Sequence, residues 1–384
     1  MLFNFKLLFR IAYRSLFHTR GTHARLTPKR LCVLLIIAML YSAMEIASWL
    51  GFFLDNILFP GYRRQGIRQP VFIIGVPRSG TTFLHRLLER DEDRFTSLKS
   101  WEILFAPSVT QKKFFKALGA LDRLCGGPLY WLLITAEKRL FKGLSSIHPA
   151  SLFEAEEDAM ILLHIFSSAN AFFLMPFKEE LWQYFEFDLE VSAAERGRIM
   201  AFYKRCVQNH LYVFGNNKQF LSKNPLFSVM VQSLDEAFPD AKFVYIARNP
   251  LEVVPSTISM LTYHFNVFLS PLTPYPFLDE QMEMLLKYYS YPLLKFTGLP
   301  ESRQHTITYV DLIEKPVQTI TQLYARFGIE INPAYAQVLH NEQESARRYN
   351  SRHAYSLENF GLTPEAIVKK YEYVFERFGF DRQL

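Results

Sequence analysis

Within VFIIGVPRSGTT, residues 71–82, two glycines stand five apart, Gly75 and Gly80. Pro77, Arg78 and Ser79 lie between them, and Thr81 and Thr82 follow. The apolar run Val71–Ile74 before them reads as a fully buried parallel strand, and Phe83, Leu84, Leu87 and Leu88 after them repeat at helix spacing. Strand, glycine turn and helix together aim several backbone N–H groups and a helix N-terminus at one point, a geometry that grips an anion. A triphosphate loop GxxxxGK[ST] uses its Lys on the β- and γ-phosphates. Here Thr81 holds that place, Thr82 takes the hydroxyl position, and the cation, Arg78, sits inside the loop. The chemistry that suits this loop is anion binding rather than γ-phosphate cleavage.

A second cationic region follows in KNPLFSVMVQSLDEAFPDAKFVYIARNP, residues 223–250. A strand over 219–222 ends in Lys223, and a helix is expected over 226–238. The run Lys242–Ala247 is another buried strand and ends in Arg248, where a Walker-type hydrolase would usually place a metal-binding Asp. Asn249 is a good N-cap and Pro250 suits the first helical position. Ser256 lies seven residues past Asn249, two turns on, and therefore faces the same way. Pro255 should kink this helix.

PRSGTT after a buried strand, followed by Arg248 and Ser256 eight apart, resembles the PAPS-dependent sulfotransferases, which use 3′-phosphoadenosine 5′-phosphosulfate. The Lys-x-Pro and FP-x-AKF stretch is similar to tyrosylprotein and bacterial members. ITYVDLIEKPVQTITQLYARFGI looks like the family's Y-x-D-L…P…F-G segment, and the tail RRYNSRHAYSLENFGLTPEAIVKKYEYVFERFGF resembles the bacterial broad family. The likeness runs from about residue 70 to the end and implies a P-loop-like α/β fold, a parallel sheet flanked by helices. It also implies that Pro77, Arg78, Ser79, Gly80, Thr81 and Thr82 bind the 5′-phosphosulfate and that Arg248 and Ser256 hold the 3′-phosphate. Lys223 would steady the transferring sulfuryl group, and Tyr309 would contact the nucleotide.

Sulfuryl transfer also needs a base for the acceptor hydroxyl and positive groups near the transferring SO₃. Glu102, in SLKSWE soon after the loop's helix, is the first choice of base, with Glu157 next. Glu157 belongs to the acidic cluster Glu154, Glu156, Glu157 and Asp158, which Ser151 and Glu154 would otherwise explain as a capping box opening a helix over 152–166. His148 is a lesser candidate. No metal is required, since Arg, Lys and backbone N–H groups supply the positive field. Two other readings stay open: a P-loop kinase or NTPase, and a membrane-associated protein that binds the nucleotide without turning it over.

These motifs need a scaffold. Between the two strands, residues 83–220 read as helices over 112–124, 130–141, 152–166 and 193–212, a helical insert spanning about 104–218 within a catalytic domain of 61–384. Residues 1–60 form a separate basic, hydrophobic helical region. Residues 1–44 hold seven Lys or Arg and no acid, and Lys6, Arg10 and Arg14 share one helix face. The apolar stretch 31–54 contains Glu45 near its middle, which would cost about 2–3 kcal/mol facing lipid. The region is expected to associate with the cytoplasmic face of a membrane as interfacial helices, with a single-pass anchor as the alternative.

Composition agrees. The chain has 384 residues, 36 Phe and 20 Tyr, enough for a large core, and a net charge of +6 that favours anionic partners. Three widely spaced cysteines argue against a disulfide framework and for a reducing compartment. No nucleic-acid motif is present. The amphipathic N-terminus and the Tyr-, Phe- and Pro-rich stretch 261–300 suggest a lipid or glycan hydroxyl as acceptor. Arg347, Arg348, Arg352 and His353 could close over the nucleotide.

Overall fold

The structure, a computed structural model, describes residues 2–140, 151–215, 217–346 and 357–383. His148, Arg347, Arg348, Arg352 and His353 lie outside the described residues. Two helices open the chain, α1 (Phe5–Phe17) and α2 (Pro28–Leu58). The first core strand, β1 (Val71–Gly75), leads through the glycine turn into α3 (Thr81–Glu89). Next come β2 (Phe95–Thr96), α4 (Ser100–Phe105), α5 (Val109–Leu124), α6 (Pro128–Leu140) and α7 (Ala193–Phe214). Then follow β3 (Gln219–Lys223), α8 (Val231–Ala237), β4 (Lys242–Ala247), α9 (Pro250–Phe268), α10 (Leu278–Phe296) and β5 (Gln304–Thr308).

The five strands form one parallel sheet in the order β2-β3-β1-β4-β5. Side chains alternate across it as the pleat requires. Val71 and Ile73 face a layer with Leu84, Leu87, Ile320 and Tyr324, while Phe72 and Ile74 face a larger core with Tyr203, Phe227 and Phe238. Coverage on both faces explains why β1 and β4 read as continuous apolar runs. The chain leaves β1 on one side to reach β2 and β3 and returns on the other side as β4 and β5. The loop after β1 therefore sits at the switch point, outside the carboxyl ends of the strands, where open α/β sheets bind ligands.

Three expectations need correction. The stretch 83–220, read as helical, contains a strand, β2, too short to carry a periodicity signal. No α-helix begins at Leu152: that segment hydrogen-bonds sideways, with Ser100 N–H to Glu154 O, Trp101 N–H to Leu152 O and Glu156 N–H to Leu98 O. Only Asp158–Ile165 coils, as a 3₁₀ helix, so Ser151 and Glu154 do not cap a helix. The helix expected over 226–238 is divided into a 3₁₀ turn, Pro225–Val229, and α8.

α2 extends past both ends of the apolar stretch 31–54, and Glu45 does not face outward. It is buried against His164, with Oε1 2.7 Å from Nδ1, and His164 Nε2 meets Ile103 O at 2.8 Å.

Candidate functional site

The turn after β1 is shaped by two residues with positive φ, Arg78 (66°) and Gly80 (94°). Gly80 is needed twice over. A side chain disfavours its left-handed backbone, and a Cβ there would come within 2.7 Å of the Tyr309 ring. A Cβ on Gly75 would meet Ile246 O at 2.6 Å, so the turn starts tight against β4. Ser228 pins that start, accepting from Gly75 N–H at 2.9 Å and donating to Gly75 O at 2.8 Å. Past Gly80, the first amides of α3 have no intrahelical partner, as at any helix start.

Arg78 leaves the loop sideways, its Nε donating to Ser256 Oγ on α9 at 3.1 Å. Arg248, just past β4, donates through Nη1 to Arg78 O at 2.9 Å and lies 4.0 Å over the ring of Tyr309. Tyr309 follows β5 and opens a short helix capped by Thr308. The rest of the Arg248 guanidinium pairs with Glu252 one turn along α9, and Tyr289 O–H donates to Arg248 O at 2.6 Å. Asn249 caps α9 by accepting from Leu251 N–H, with Pro250 at the first turn and Pro255 inside the helix. The fold thus brings Arg78, Gly80, Arg248, Ser256 and Tyr309 together from three strand ends.

Lys223 ends β3, beside β1, and is 1% exposed. Its Nζ lies 3.3 Å from Glu157 Oε1 and 3.5 Å from Glu156 Oε1. Burial pulls the ammonium pKa down, but the two carboxylates outweigh it and leave it above its ordinary value. Next to them, Asp158 is buried, accepting from Tyr203 O–H and from Ser222 Oγ at 3.0 Å. Burial pushes its carboxyl up to about 7. His85 on α3 is buried against Ser97 Oγ at 3.0 Å. Burial, helped by the charge of Lys223, lowers its pKa to about 3, so it is neutral at physiological pH.

Glu102 stands apart from this group in character. It is 1% exposed, and both oxygens are occupied. Oε1 meets His210 Nδ1 at 2.7 Å and Lys112 Nζ at 3.0 Å, and Oε2 accepts from Lys99 N–H at 3.0 Å. Burial favours the neutral acid, yet His210 and then Lys112 outweigh it and hold the pKa at about 2. A weakly basic carboxylate with both oxygens hydrogen-bonded ties α4, α5 and α7 together. Of the two carboxylates expected as the base, Glu157 is the one beside Lys223, with 31% of its side chain exposed.

The site fits an anionic group. Among the described residues, Ser79 Oγ in the loop, Asn224 Nδ2 after Lys223 and Thr257 Oγ1 after Ser256 are buried polar atoms with no hydrogen-bond partner in the protein, and such groups are costly unless a ligand or water satisfies them. Sequence reasoning missed Ser228, His85, Glu252 and Tyr289, and named Asp158 only as a member of the acidic cluster. Only Glu252, four residues past Arg248 on a foreseen helix, left a readable signal. A separate polar cleft of about 510 Å³ opens beside Thr82 and His85, lined also by Arg86, Ser97, Lys99 and Glu154.

The sequence profile described as the Sulfotransferase family matches residues 70–333. Two mycobacterial relatives, from Mycobacterium bovis and Mycobacterium tuberculosis, are each named omega-hydroxy-beta-dihydromenaquinone-9 sulfotransferase Stf3. Each is 28% identical over 328 residues, 82% of this chain and 76% of the relative. In fold the chain is similar to sulfotransferase STF1 of M. tuberculosis H37Rv, with TM-score 0.68, 19% identity and coverage of 96% of this chain and 93% of the other. It is also similar to STF9 of Mycobacterium avium, with TM-score 0.68, 18% identity and coverage of 87% and 82%. The chain belongs to the sulfotransferase family and is an enzyme that transfers a sulfuryl group from PAPS to an acceptor hydroxyl.

Proposed function

We propose that this sulfotransferase sulfates a lipid hydroxyl at a membrane surface, with Glu157 as the base and Lys223 as the cation at the reacting group. The observation that carries the assignment of roles is the Lys223–Glu157 pair, 3.3 Å apart at the end of the strand next to the anion loop. When bound, PAPS supplies the activated sulfuryl group.

Around it, residues 77–82 offer backbone N–H groups, the start of α3 and the unpartnered Ser79 hydroxyl to the 5′ end. Arg248 and Ser256 take the 3′-phosphate, for which a guanidinium is well suited because it binds such oxygens two at a time. Tyr309, stacked on Arg248, forms the wall beside the nucleotide. Arg78 connects the two ends and contributes positive charge near the reaction. Lys223 donates to oxygens on which negative charge builds up, a stabilisation worth most in a buried site. Glu157 has 31% of its side chain exposed, so an incoming hydroxyl can reach it and hand over its proton. Glu156, at 3.5 Å from Lys223, helps keep that lysine charged.

The lipid acceptor rests on two supports. The mycobacterial relatives carry a name that specifies a hydroxylated menaquinone, and α2 is long and apolar enough to meet a membrane. The cytoplasmic face is supported by the three cysteines, all free thiols.

The test is transfer from ³⁵S-labelled PAPS to a total membrane lipid extract, compared with water-soluble alcohols, phenols and glycans. Label should enter the organic phase and be lost with Glu157→Gln and with Lys223→Ala. Label confined to water-soluble products would refute the lipid acceptor, and full activity in Glu157→Gln would refute its role.

A further inference from the structure

We propose that α2 is an in-plane membrane helix, lying along one leaflet of an anionic bilayer with both of its ends on the same side. The inference rests on the reading that lipid covers its outer face, and it adds the topology. Between Leu31 and Leu58 that face exposes Leu35, Met39, Leu40, Ile46, Leu50 and Phe53, among others, and no charged side chain is exposed in the whole stretch. Both carboxylates of the stretch, Glu45 and Asp55, are turned inward. A continuous apolar surface of this extent marks an interaction site on a water-soluble scaffold.

The inner face is held at four points, though no residue between Arg30 and Glu45 is buried. Arg30 donates to Phe268 O and Leu174 O, both at 3.0 Å. Tyr41 O–H donates to Leu163 O at 2.6 Å, and Glu45 meets His164 at 2.7 Å. The Asp55 carboxylate accepts the N–H groups of Val109 and Thr110 at 2.9 and 2.7 Å, which caps α5. A crossing helix needs about 20 consecutive residues surrounded by lipid or by protein that itself lies in the bilayer. α2 has no such stretch, because its anchors fall at residues 30, 41, 45 and 55 on a domain with a polar catalytic site. At 31 residues it is about 46 Å long, against a hydrocarbon core of ~30 Å. An orientation in the plane exposes the apolar face to lipid and keeps the anchored face on the protein.

Charge selects the occupant. Arg25 and Lys29 are exposed at one end of the helix and Arg63 and Arg64 at the other, so cations rim the apolar strip as they do where proteins meet anionic headgroups. α1 repeats the chemistry: Phe5, Phe9, Tyr13 and Phe17 are exposed in one stripe, with Lys6 and Arg10 beside it. In a face-to-face pair of copies these cations would meet like charges, so a second copy is the poorer occupant.

The experiment uses the purified full chain in two steps. In the first, flotation with phosphatidylcholine vesicles is compared with flotation with vesicles containing 30% phosphatidylglycerol. Binding to the anionic vesicles should be at least tenfold stronger and should fall in 0.5 M salt. A Met39→Glu, Leu50→Glu double variant should lose it while keeping its melting temperature and its stabilisation by adenosine 3′,5′-bisphosphate. In the second, Lys29→Cys and Arg64→Cys are made separately in a Cys32→Ser, Cys125→Ser background and bound to vesicles from outside. A membrane-impermeant maleimide should label both positions without lysis.

Absence of flotation would overturn the lipid reading, and so would a concentration-dependent oligomer abolished by the double variant. Flotation with only one end labelled from outside would overturn the in-plane topology alone. Bisphosphate stabilisation, measured on the same samples, separates either failure from a failure of the sulfotransferase site.

Discussion

Arg78 Nε donates to Ser256 Oγ at 3.1 Å across 178 residues of sequence, joining the turn after β1 to the helix after β4. Arg248 adds a second bond between the same segments by donating to Arg78 O. The two ends proposed to bind anions are therefore one hydrogen-bonded unit. On that proposal a ligand with phosphates at both ends would find the two segments already joined, with little ordering left to do on binding.

Binding should depend on that unit. Adenosine 3′,5′-bisphosphate at 100 times its Kd should stabilise the wild-type enzyme by about 2.7 kcal/mol, visible as a rise in Tm. Arg248→Ala should abolish the rise at the same concentration, and Ser256→Ala should reduce it. ATP with Mg²⁺ should give no comparable shift. Stabilisation by ATP and Mg²⁺ alone would contradict the assignment of these residues.

Glu252 would compete for the guanidinium proposed to hold the 3′-phosphate. It pairs with Arg248 one helical turn away while 43% exposed, and exposed pairs of this kind are weak, about 0.2–1 kcal/mol. Glu252→Gln should therefore tighten bisphosphate binding by up to about fivefold in low salt, with the gain shrinking as salt screens the pair. Isothermal titration at two ionic strengths measures this. Weaker binding in the variant would mean that Glu252 orients Arg248 rather than competing for it.

What could be read in the sequence were the parts governed by local chemistry. β1, β4 and the start of α9 follow from apolar runs, glycines and the Asn249–Pro250 cap, and the seven-residue spacing from Asn249 turns Ser256 back toward the helix start. Contacts made at a distance were not readable. Glu102 resembles a base by its position after α3, but its buried partners Lys112 and His210 come from two other helices and left no sequence signal. The residues near 152–156 carry helix signals that lose to lateral backbone bonds with 98–101. Glu45 seemed costly in an apolar helix because His164 could not be foreseen beside it.

The two carboxylates considered as the base should separate cleanly in kinetics. Glu157→Gln keeps the shape and a hydrogen bond to Lys223 but removes proton acceptance, so kcat should fall by about 10²–10⁴ with Tm nearly unchanged. Glu102→Gln removes the charge between buried Lys112 and His210. Breaking a buried pair costs about 3–5 kcal/mol, so Tm should fall strongly while the folded fraction keeps most of its kcat. Activity and calorimetry on the same preparations decide it. A large loss of kcat in Glu102→Gln at full stability would restore Glu102 as the base.

The pH dependence of stability tests the environment of Asp158. Its folded-state pKa, about 7, lies above the carboxyl's ordinary value of 3.8 because burial penalises the charged form. Between those values the folded protein holds a proton that the unfolded chain releases. The contribution of Asp158 is therefore fully present below about pH 4 and is lost as pH rises through 7, at up to about 1.4 kcal/mol per pH unit. Glu102 has the opposite sign, its folded-state pKa of about 2 lying below the ordinary 4.5, so its contribution is present above that value and lost as pH falls towards 2. From pH 5 to 7.5 the Asp158 slope should stand alone between these two. Asp158→Asn, neutral at every pH and able to keep bonds to Tyr203 and Ser222, should flatten the fall in unfolding free energy over that interval. An unchanged slope in the variant would show that Asp158 is ionised in the folded enzyme throughout, with its charge balanced by Lys223 rather than suppressed by burial.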